Sequence, residues 1–162
     1  MAGASFTSNL DVIERVVGAA ISHMAQTQLL AEGIGELLVS SVHERFKKGV
    51  GPDGEQWKKS VRAAEEGGQT LLDTGIMRNS VGYEAIPTQV ACGSNDERYA
   101  IHQFGGDIEP KSAAALKFKV GGKWVQTKKV TMPARPSIGI SEEDIKEARG
   151  LIHDFVAAGF HV

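Results

Sequence analysis

A long amphipathic stripe dominates the first third of the chain. Apolar or small residues recur at steps of three and four from position 10 to position 42, the spacing of one face of an α-helix. Two lysines followed by Gly49 suit a helix C-terminus, and Ser8 with Asp11 fits a capping box at the start. The pattern predicts one long helix over residues 10–48, with a kink near residues 33–35, where two glycines weaken it.

In the segments that follow, residues typical of turns alternate with short runs in which apolar residues recur periodically. Residues 49–69 contain a Gly-Pro-Asp-Gly turn and predict an ordered loop. Residues 70–140 predict a short helix, entered through Asp73 or Thr74 as the N-cap, and then two β-hairpins. Residues 141–159 open with a capping box and three acids, which predicts a C-terminal helix.

The two predicted hairpins differ in the strength of their turn signals. Strand-like runs at 81–86 and 89–93 are joined by Pro-Thr, and runs at 115–120 and 123–130 flank a Gly-Gly pair that permits positive φ. Residues 99–104 fit helix and strand equally well.

These elements predict an α+β fold, since neither βαβ alternation nor an internal repeat is present. The N-terminal and C-terminal helices are expected to pack on an antiparallel sheet, from which a lysine-rich β-hairpin projects. A chain of 162 residues suits one domain over residues 1–162, with residues 1–9 flexible at its start.

Composition narrows the class of protein only a little. A net charge of −2 favours neither a general nucleic-acid binder nor a mimic of a polyanion. The single cysteine, Cys92, precludes an intramolecular disulfide and is expected to be a core residue. The N-terminus lacks a signal-peptide pattern, and no stretch approaches the roughly 20 apolar residues that cross a bilayer. We expect a soluble intracellular protein without a membrane partner.

Asp73 is the sharpest candidate for catalysis. Asp-Thr-Gly after two leucines is how retroviral-type aspartic proteases present their carboxylate, and two such aspartates, one from each copy of a dimer, share a proton. Here a long helix precedes the motif, so a helix N-cap is the preferred interpretation. The five histidines have no metal-ligand spacing, and no cofactor or metal is expected.

Several charged or rigid features are candidates for assembly contacts. Six lysines lie on and around the second hairpin, and two prolines stiffen the backbone around Arg135 for a bidentate ionic contact within the chain or across an interface. The lysines suit a solvated hairpin, a surface facing DNA phosphates, or a match to acids on a neighbouring subunit. The candidate interface residues are Trp57, Lys117, Lys119, Lys128, Lys129, Arg135, Glu142 and Glu143.

An ordered series of short motifs resembles the phage virion morphogenesis family, the tail-completion proteins of Mu-like and related tailed phages. The series starts with Arg45-Phe46 and Trp57 and ends with Ile138-Gly139 before the last helix. Its remaining structural positions are Pro52, Asp53, Gly54, Asp73, Thr74, Gly75, Tyr99, His102, Phe104, Gly105 and Pro136. The chain departs from the family in a shorter stretch after the tryptophan and in Met77, where leucine is commoner.

The resemblance implies an α+β fold, no catalytic residues and a role near the head-proximal end of the tail, in tail completion or in the head–tail neck. We expect a homo-oligomeric ring, sixfold by tail symmetry, that contacts tail-tube and connector proteins and passing genomic DNA. Such a protein belongs in the virion and assembles in the host cytoplasm. The alternatives are a dimeric aspartic protease built on Asp73 and a DNA-contacting neck factor.

Overall fold

The computed structural model describes residues 10–120 and 122–159, and it confirms the α+β class. The helices are α1 (Leu10–Met24), α2 (Thr27–Lys48), α3 (Val61–Glu65), α4 (Ile76–Asn79), α5 (Tyr99–Phe104) and α6 (Glu142–Ala158). The strands are β1 (Val81–Ile86), β2 (Gln89–Ser94), β3 (Gly106–Ile108), β4 (Leu116–Val120), β5 (Lys123–Thr127) and β6 (Val130–Met132). The expected mobility of residues 1–9 and the capping box at Ser8 lie outside the described residues.

The long N-terminal stripe forms two helices, which are separated at residues 25–26. The amide of Gln26 donates to the carbonyl of His23 at 2.8 Å, a tight i→i−3 bond, and the backbone of Gln26 leaves helical geometry at φ −91° and ψ 24°. The predicted long helix over residues 10–48 is therefore interrupted at residues 25–26 and not at the two glycines at 33 and 35, because α2 continues through both to a left-handed cap at Gly49.

Gly35 is needed for packing. A Cβ atom at Gly35 would lie 2.2 Å from Cδ2 of Tyr83, whereas a Cβ at Gly33 would meet nothing within 4 Å. Tyr83 belongs to the inward face of β1, so Gly35 lets this hairpin approach α2 closely. The glycine that weakens the helix locally therefore permits its main tertiary contact.

Alanine at these two positions should have opposite effects. Gly33→Ala is expected to stabilise the protein by up to about 1 kcal/mol through helix propensity. Gly35→Ala is expected to destabilise it by about 1–3 kcal/mol, because the ring of Tyr83 must move. Urea unfolding of both variants measures the difference, and equal stabilisation by the two alanines would contradict the close packing of Tyr83.

Both predicted hairpins pair antiparallel, but the strands do not join into one sheet. Val81 lies opposite Ser94 in β1–β2, and Leu116 lies opposite Thr127 in β4–β5. Strand β5 ends at Thr127, whose hydroxyl accepts from the amide of Lys129 at 3.3 Å, and the chain then pairs with β3 through β6. The described strands form three separate two-stranded ladders.

The core is an aromatic cluster on the inward face of α2. Phe46 is fully buried and packs edge-on against Trp57 and Tyr99, with ring centroids 5.6 Å and 6.4 Å away. Val42 and Val81 complete the cluster. Helix α2 also packs against α6, so one helix joins the first hairpin to the C-terminal helix.

Three further segments refine the sequence interpretation. The predicted loop at 49–69 contains α3, whose N-cap Ser60 accepts a hydrogen bond from the amide of Ala63. Residues 99–104, left open between helix and strand, form α5. The capping box of the C-terminal helix is present, with Ser141 and Asp144 bonded reciprocally.

Candidate functional site

Residues 135–139, which we call the buried segment, are bound by polar side chains of the surrounding helices and loop. Arg45 of α2 donates from one terminal nitrogen to the carbonyls of Ser137 and Gly139, at 2.9 Å and 2.8 Å. The indole of Trp57 donates to the carbonyl of Pro136 at 2.9 Å. These contacts satisfy backbone oxygens that would otherwise be buried without partners.

Helix α5 binds the same segment from another direction. The side-chain oxygen of Gln103 accepts from the amides of Ser137 and Ile138 at 3.0 Å and 3.1 Å, and its nitrogen donates to the carbonyl of Ile138 at 2.7 Å. Tyr99 hydrogen-bonds the hydroxyl of Ser137, and burial raises the pKa of Tyr99 to about 12. Tyr99 therefore stays protonated and serves as a polar anchor.

An ion pair between Arg45 and Asp144 connects α2 to the start of α6. Both residues are buried, and Asp144 also accepts hydrogen bonds from the hydroxyl of Ser41 and the amide of Ser141. The carboxylate is thus satisfied by several donors at once, the condition under which a buried charge is tolerated. The sequence pattern predicted only a capping role for Asp144, because its partner Arg45 is 99 residues away.

Two candidate interface residues are located inside the chain. Trp57 is buried in the aromatic core, and Arg135 is only 4% exposed. The side chain of Arg135 donates to the carbonyl of Lys58 at 2.8 Å, and its amide donates to His102 at 2.7 Å. The bidentate ionic contact predicted for Arg135 is absent among the described residues, so both side chains hold the fold together.

The turn at residues 51–54 also contacts the buried segment. Pro52 lies against Gly139, where a Cβ would come within 2.7 Å of the proline Cγ. Asp53 accepts from the amide of Glu55 at 3.0 Å, and Gly54 has the positive φ of 81° that the turn requires. These motif positions share one structural task although they are far apart in sequence.

Asp73 lies apart from this cluster, in a surface turn. Its carboxylate is 72% exposed and lies 3.8 Å from a terminal nitrogen of Arg62. The predicted N-cap role of Asp73 and Thr74 was wrong, because the N-cap of α4 is Gly75, in left-handed geometry at φ 79°. Thr74 accepts only a long contact of 3.5 Å from Ile76. Glycine suits this position because a positive φ is strained for residues that carry a Cβ atom.

Three further residues singled out in the sequence lie in different environments. Phe104 is 78% exposed and does not join the core. Burial and the charges of two nearby arginines lower the pKa of His102, whose Nδ1 is buried without a partner among the described residues. Cys92 packs against the aromatic core, and burial raises the pKa of its thiol, so it behaves as the structural residue expected.

The second hairpin, residues 116–127, carries a cationic and aromatic face; we call it the lysine hairpin. Lys119 lies opposite Trp124, and Lys117 lies opposite Gln126, so these four side chains share one side of the ladder. Trp124 is 78% exposed. Among the described residues no ion pair involves Lys117, Lys119, Lys123 or Lys128.

Lys129 differs from the other candidate lysines because it is paired within the chain. Its ammonium lies 2.8 Å from Asp107 and 3.7 Å from Glu109. Hydrogen bonding to Asp107 raises the pKa of Lys129. This contact connects the end of the hairpin to β3, so Lys129 is less available to a partner than the lysines on the ladder.

A groove of about 870 Å³ runs between α2, α6 and the 50–54 turn; we call it the acidic groove. The exposed acids along it are Glu36, Glu44, Glu143, Glu147 and Asp154. Lys48 is the exposed cation among the residues that line it. Glu143 was a sequence candidate, Glu142 is exposed outside the groove lining, and the other four acids were missed. The available signal was their helical spacing, a step of eight residues on α2 and steps of four and seven residues on α6.

Neither a metal-binding cluster nor a membrane-spanning helix occurs in the part of the chain that the structure describes. No group of three or more histidine, cysteine, aspartate or glutamate side chains there is placed to hold a metal ion. None of the described helices is long and apolar enough to span a membrane.

Comparison with known proteins assigns the class. The profile of the phage virion morphogenesis family matches residues 8–157, nearly the whole chain, and the chain belongs to this family. Among its relatives is the Mu-like prophage FluMu G protein 2 of Haemophilus influenzae, which is 28% identical over 144 residues, covering 86% of this chain and 88% of that protein. No solved structure matches the chain significantly.

Proposed function

We propose that this phage morphogenesis protein is a structural virion subunit that completes the tail or joins it to the head. It acts as one copy in a homo-oligomeric ring at the head-proximal end of the tail, beside tail-tube and connector proteins. The observation that carries the proposal is that the family motifs contact each other inside the chain. Arg45, Trp57 and Tyr99 each hydrogen-bond the buried segment. A rigid body of this kind suits a subunit whose shape must survive assembly.

A non-catalytic role is part of this proposal, and the surroundings of Asp73 support it. The carboxylate of Asp73, the main catalytic candidate, is 72% exposed beside Arg62. An aspartic dyad instead needs two carboxylates close enough to share a proton. We therefore assign Asp73 a structural role in the surface turn. The proposal places assembly of the protein in the host cytoplasm and the finished protein in the virion.

Loss of the protein should block the last step of particle formation. A phage that lacks this chain is expected to accumulate filled heads and separate tails, with infectious titre lowered by several orders of magnitude. Electron microscopy of the lysate and plaque counts provide the measurement. Normal joined particles would reject the proposal.

An Asp73→Asn phage is the matched control. The structural role predicts a normal titre and unchanged virion proteins, because amide and carboxylate have nearly the same volume in an exposed turn. Loss of a proteolytic cleavage in that phage would instead support the protease.

A second candidate function, contact with DNA in the neck, rests on the lysine hairpin. Exposed Trp124 beside Lys117 and Lys119 combines an aromatic face with cations, as in surfaces that bind nucleic acid. A DNA gel shift that weakens steeply with salt, and that is lost in Lys117→Glu/Lys119→Glu, would favour this candidate.

A further inference from the structure

We infer that the acidic groove receives the lysine hairpin of a second copy of the chain. This inference rests on the proposed ring and names the contact that closes it. The two surfaces carry opposite charge, and each presents ionic groups that have no ion-pair partner among the described residues.

The acidic groove is open and mostly uncompensated. Glu36, Glu143 and Glu147 form no ion pair in the described chain. A Cβ at Gly33 or at Gly150, both of which line the groove, would meet nothing within 4 Å. Acidic residues in the first turn of α6 also interact favourably with the helix dipole, which is a second reason for acids at that position. The helix dipole does not explain Glu36 or Glu147, which lie outside that turn. The groove therefore has both the room and the charge for a cationic occupant.

The spacing of the charges matches on the two sides. Lys117 and Lys119 point to the same face of β4, about 7 Å apart at 3.4 Å per residue. Glu143 and Glu147 lie one turn apart on α6, about 6 Å along the helix axis. Two lysines of one copy can therefore meet two carboxylates of the next, with exposed Trp124 adding apolar area to the contact.

Joining a hairpin to a groove is a heterologous contact, because the two surfaces differ. Each copy then offers one surface of each kind, and such contacts close into a ring when the rotation between copies allows it. A two-fold dimer that exchanges both hairpins would satisfy the same charges, so the choice of a ring rests on the proposed function, and sedimentation distinguishes a dimer from a larger closed assembly.

Charge reversal tests the contact in both directions. The hairpin variant carries Lys117→Glu with Lys119→Glu, and the groove variant carries Glu36→Lys with Glu147→Lys. Alone, each variant sets like charges against each other, and we expect self-association at least about tenfold weaker than in the native protein. Mixed together, the two variants restore both attractive contacts, so association should return.

Sedimentation of the purified proteins and particle yield in phages that carry one or both variants give two readouts. Particle yield reports on the contact even when rings form only on a tail. Lys58→Glu with Lys59→Glu, and Glu65→Lys with Glu66→Lys, match the charge changes at exposed positions elsewhere and should have little effect. Native behaviour of the single variants, or no recovery in the mixture, would overturn the contact.

A neutral variant separates shape from charge. Gly150→Leu fills the acidic groove, raises helix propensity and leaves every charge in place, and it should also weaken association. Native association in this variant would overturn the inference.

The remaining outcomes distinguish this contact from the proposed function. If the hairpin variant lost DNA binding while the groove variant assembled normally, the hairpin would face DNA and the contact between copies would be rejected. If the charge variants gave normal particles while the deletion phage did not, the contact would fail and the structural role would stand. Normal particles from the deletion phage would reject the proposed structural role. The contact between copies would then still be tested by sedimentation of the purified variants.

Discussion

Replacing Asp144 with alanine is expected to lower the free energy of unfolding by about 3–5 kcal/mol, because Arg45 then stays buried without its carboxylate partner. The loss extends beyond one pair. Arg45 also binds two carbonyls of the buried segment, so a displaced guanidinium releases that segment as well. Urea unfolding followed by tryptophan fluorescence measures the change, since Trp57 lies in the same network.

The adjacent exposed acid provides the control. Glu143→Ala should change stability by less than about 1 kcal/mol, mainly through the helix dipole. Arg45→Met combined with Asp144→Leu removes both charges and should recover part of the loss. Equal effects of Asp144→Ala and Glu143→Ala would show that the ion pair contributes little.

Acid unfolding tests the same carboxylate. Burial raises the pKa of Asp144, but hydrogen bonds from Ser141 and Ser41 and the charge of Arg45 outweigh it, so the pKa lies below its ordinary value of 3.8. Because the folded pKa is the lower one, this stabilisation is complete above the unfolded value and is lost as pH falls through the folded value. Asp144→Asn should therefore flatten the loss of stability as the pH falls below the ordinary aspartate value of 3.8.

Gly105→Ala is expected to destabilise the protein by about 3 kcal/mol or more. Gly105 has φ 69° and ψ −174°, a region that is almost exclusive to glycine. A Cβ there would lie 2.7 Å from the amide nitrogen of Ala134 and 2.9 Å from the carbonyl oxygen of Met132. Both neighbours are backbone atoms, so relief requires movement of the chain that leads into the buried segment. Thermal unfolding by circular dichroism measures the effect.

Gly49→Ala is the matched control for backbone conformation. Gly49 has nearly the same φ, 70°, but a Cβ there would meet nothing within 4 Å. Its cost should stay near the roughly 1–2 kcal/mol of a left-handed residue with a side chain. A Gly105→Ala protein as stable as Gly49→Ala would contradict the close approach of the two backbone segments.

Local patterns predicted the elements well where the signal was itself local. The pairing of the strands within each hairpin and the capping box of α6 depend on residues that are close in sequence, and each appears where the local pattern predicted it. The weak point of the long helix was assigned to residues 33–35, but the helix is interrupted at residues 25–26. Helix propensity contains no term for Tyr83, which packs on Gly35 from 48 positions later. The N-cap assigned to Asp73 failed because Gly75 takes that position.

The two surfaces that we propose for contact between copies were predicted less completely, for a related reason. The lysines of the second hairpin are close in sequence, so their clustering was visible from the start. The acidic groove combines Glu36 with Glu147, and only the packing of α2 on α6 brings the two rows of acids together. Trp57 and Arg135 looked suited to an interface, but a sequence does not reveal that the chain buries them itself.

The pairing of Arg45 with Asp144 also bears on the timing of folding during synthesis. Proteins are made from the N-terminus at about 5–20 residues per second, so the guanidinium emerges several seconds before the carboxylate that permits its burial. A nascent chain that ends before α6 lacks one wall of the acidic groove. Incomplete chains released early from the ribosome therefore lack the surface that we propose as the docking site for a second copy.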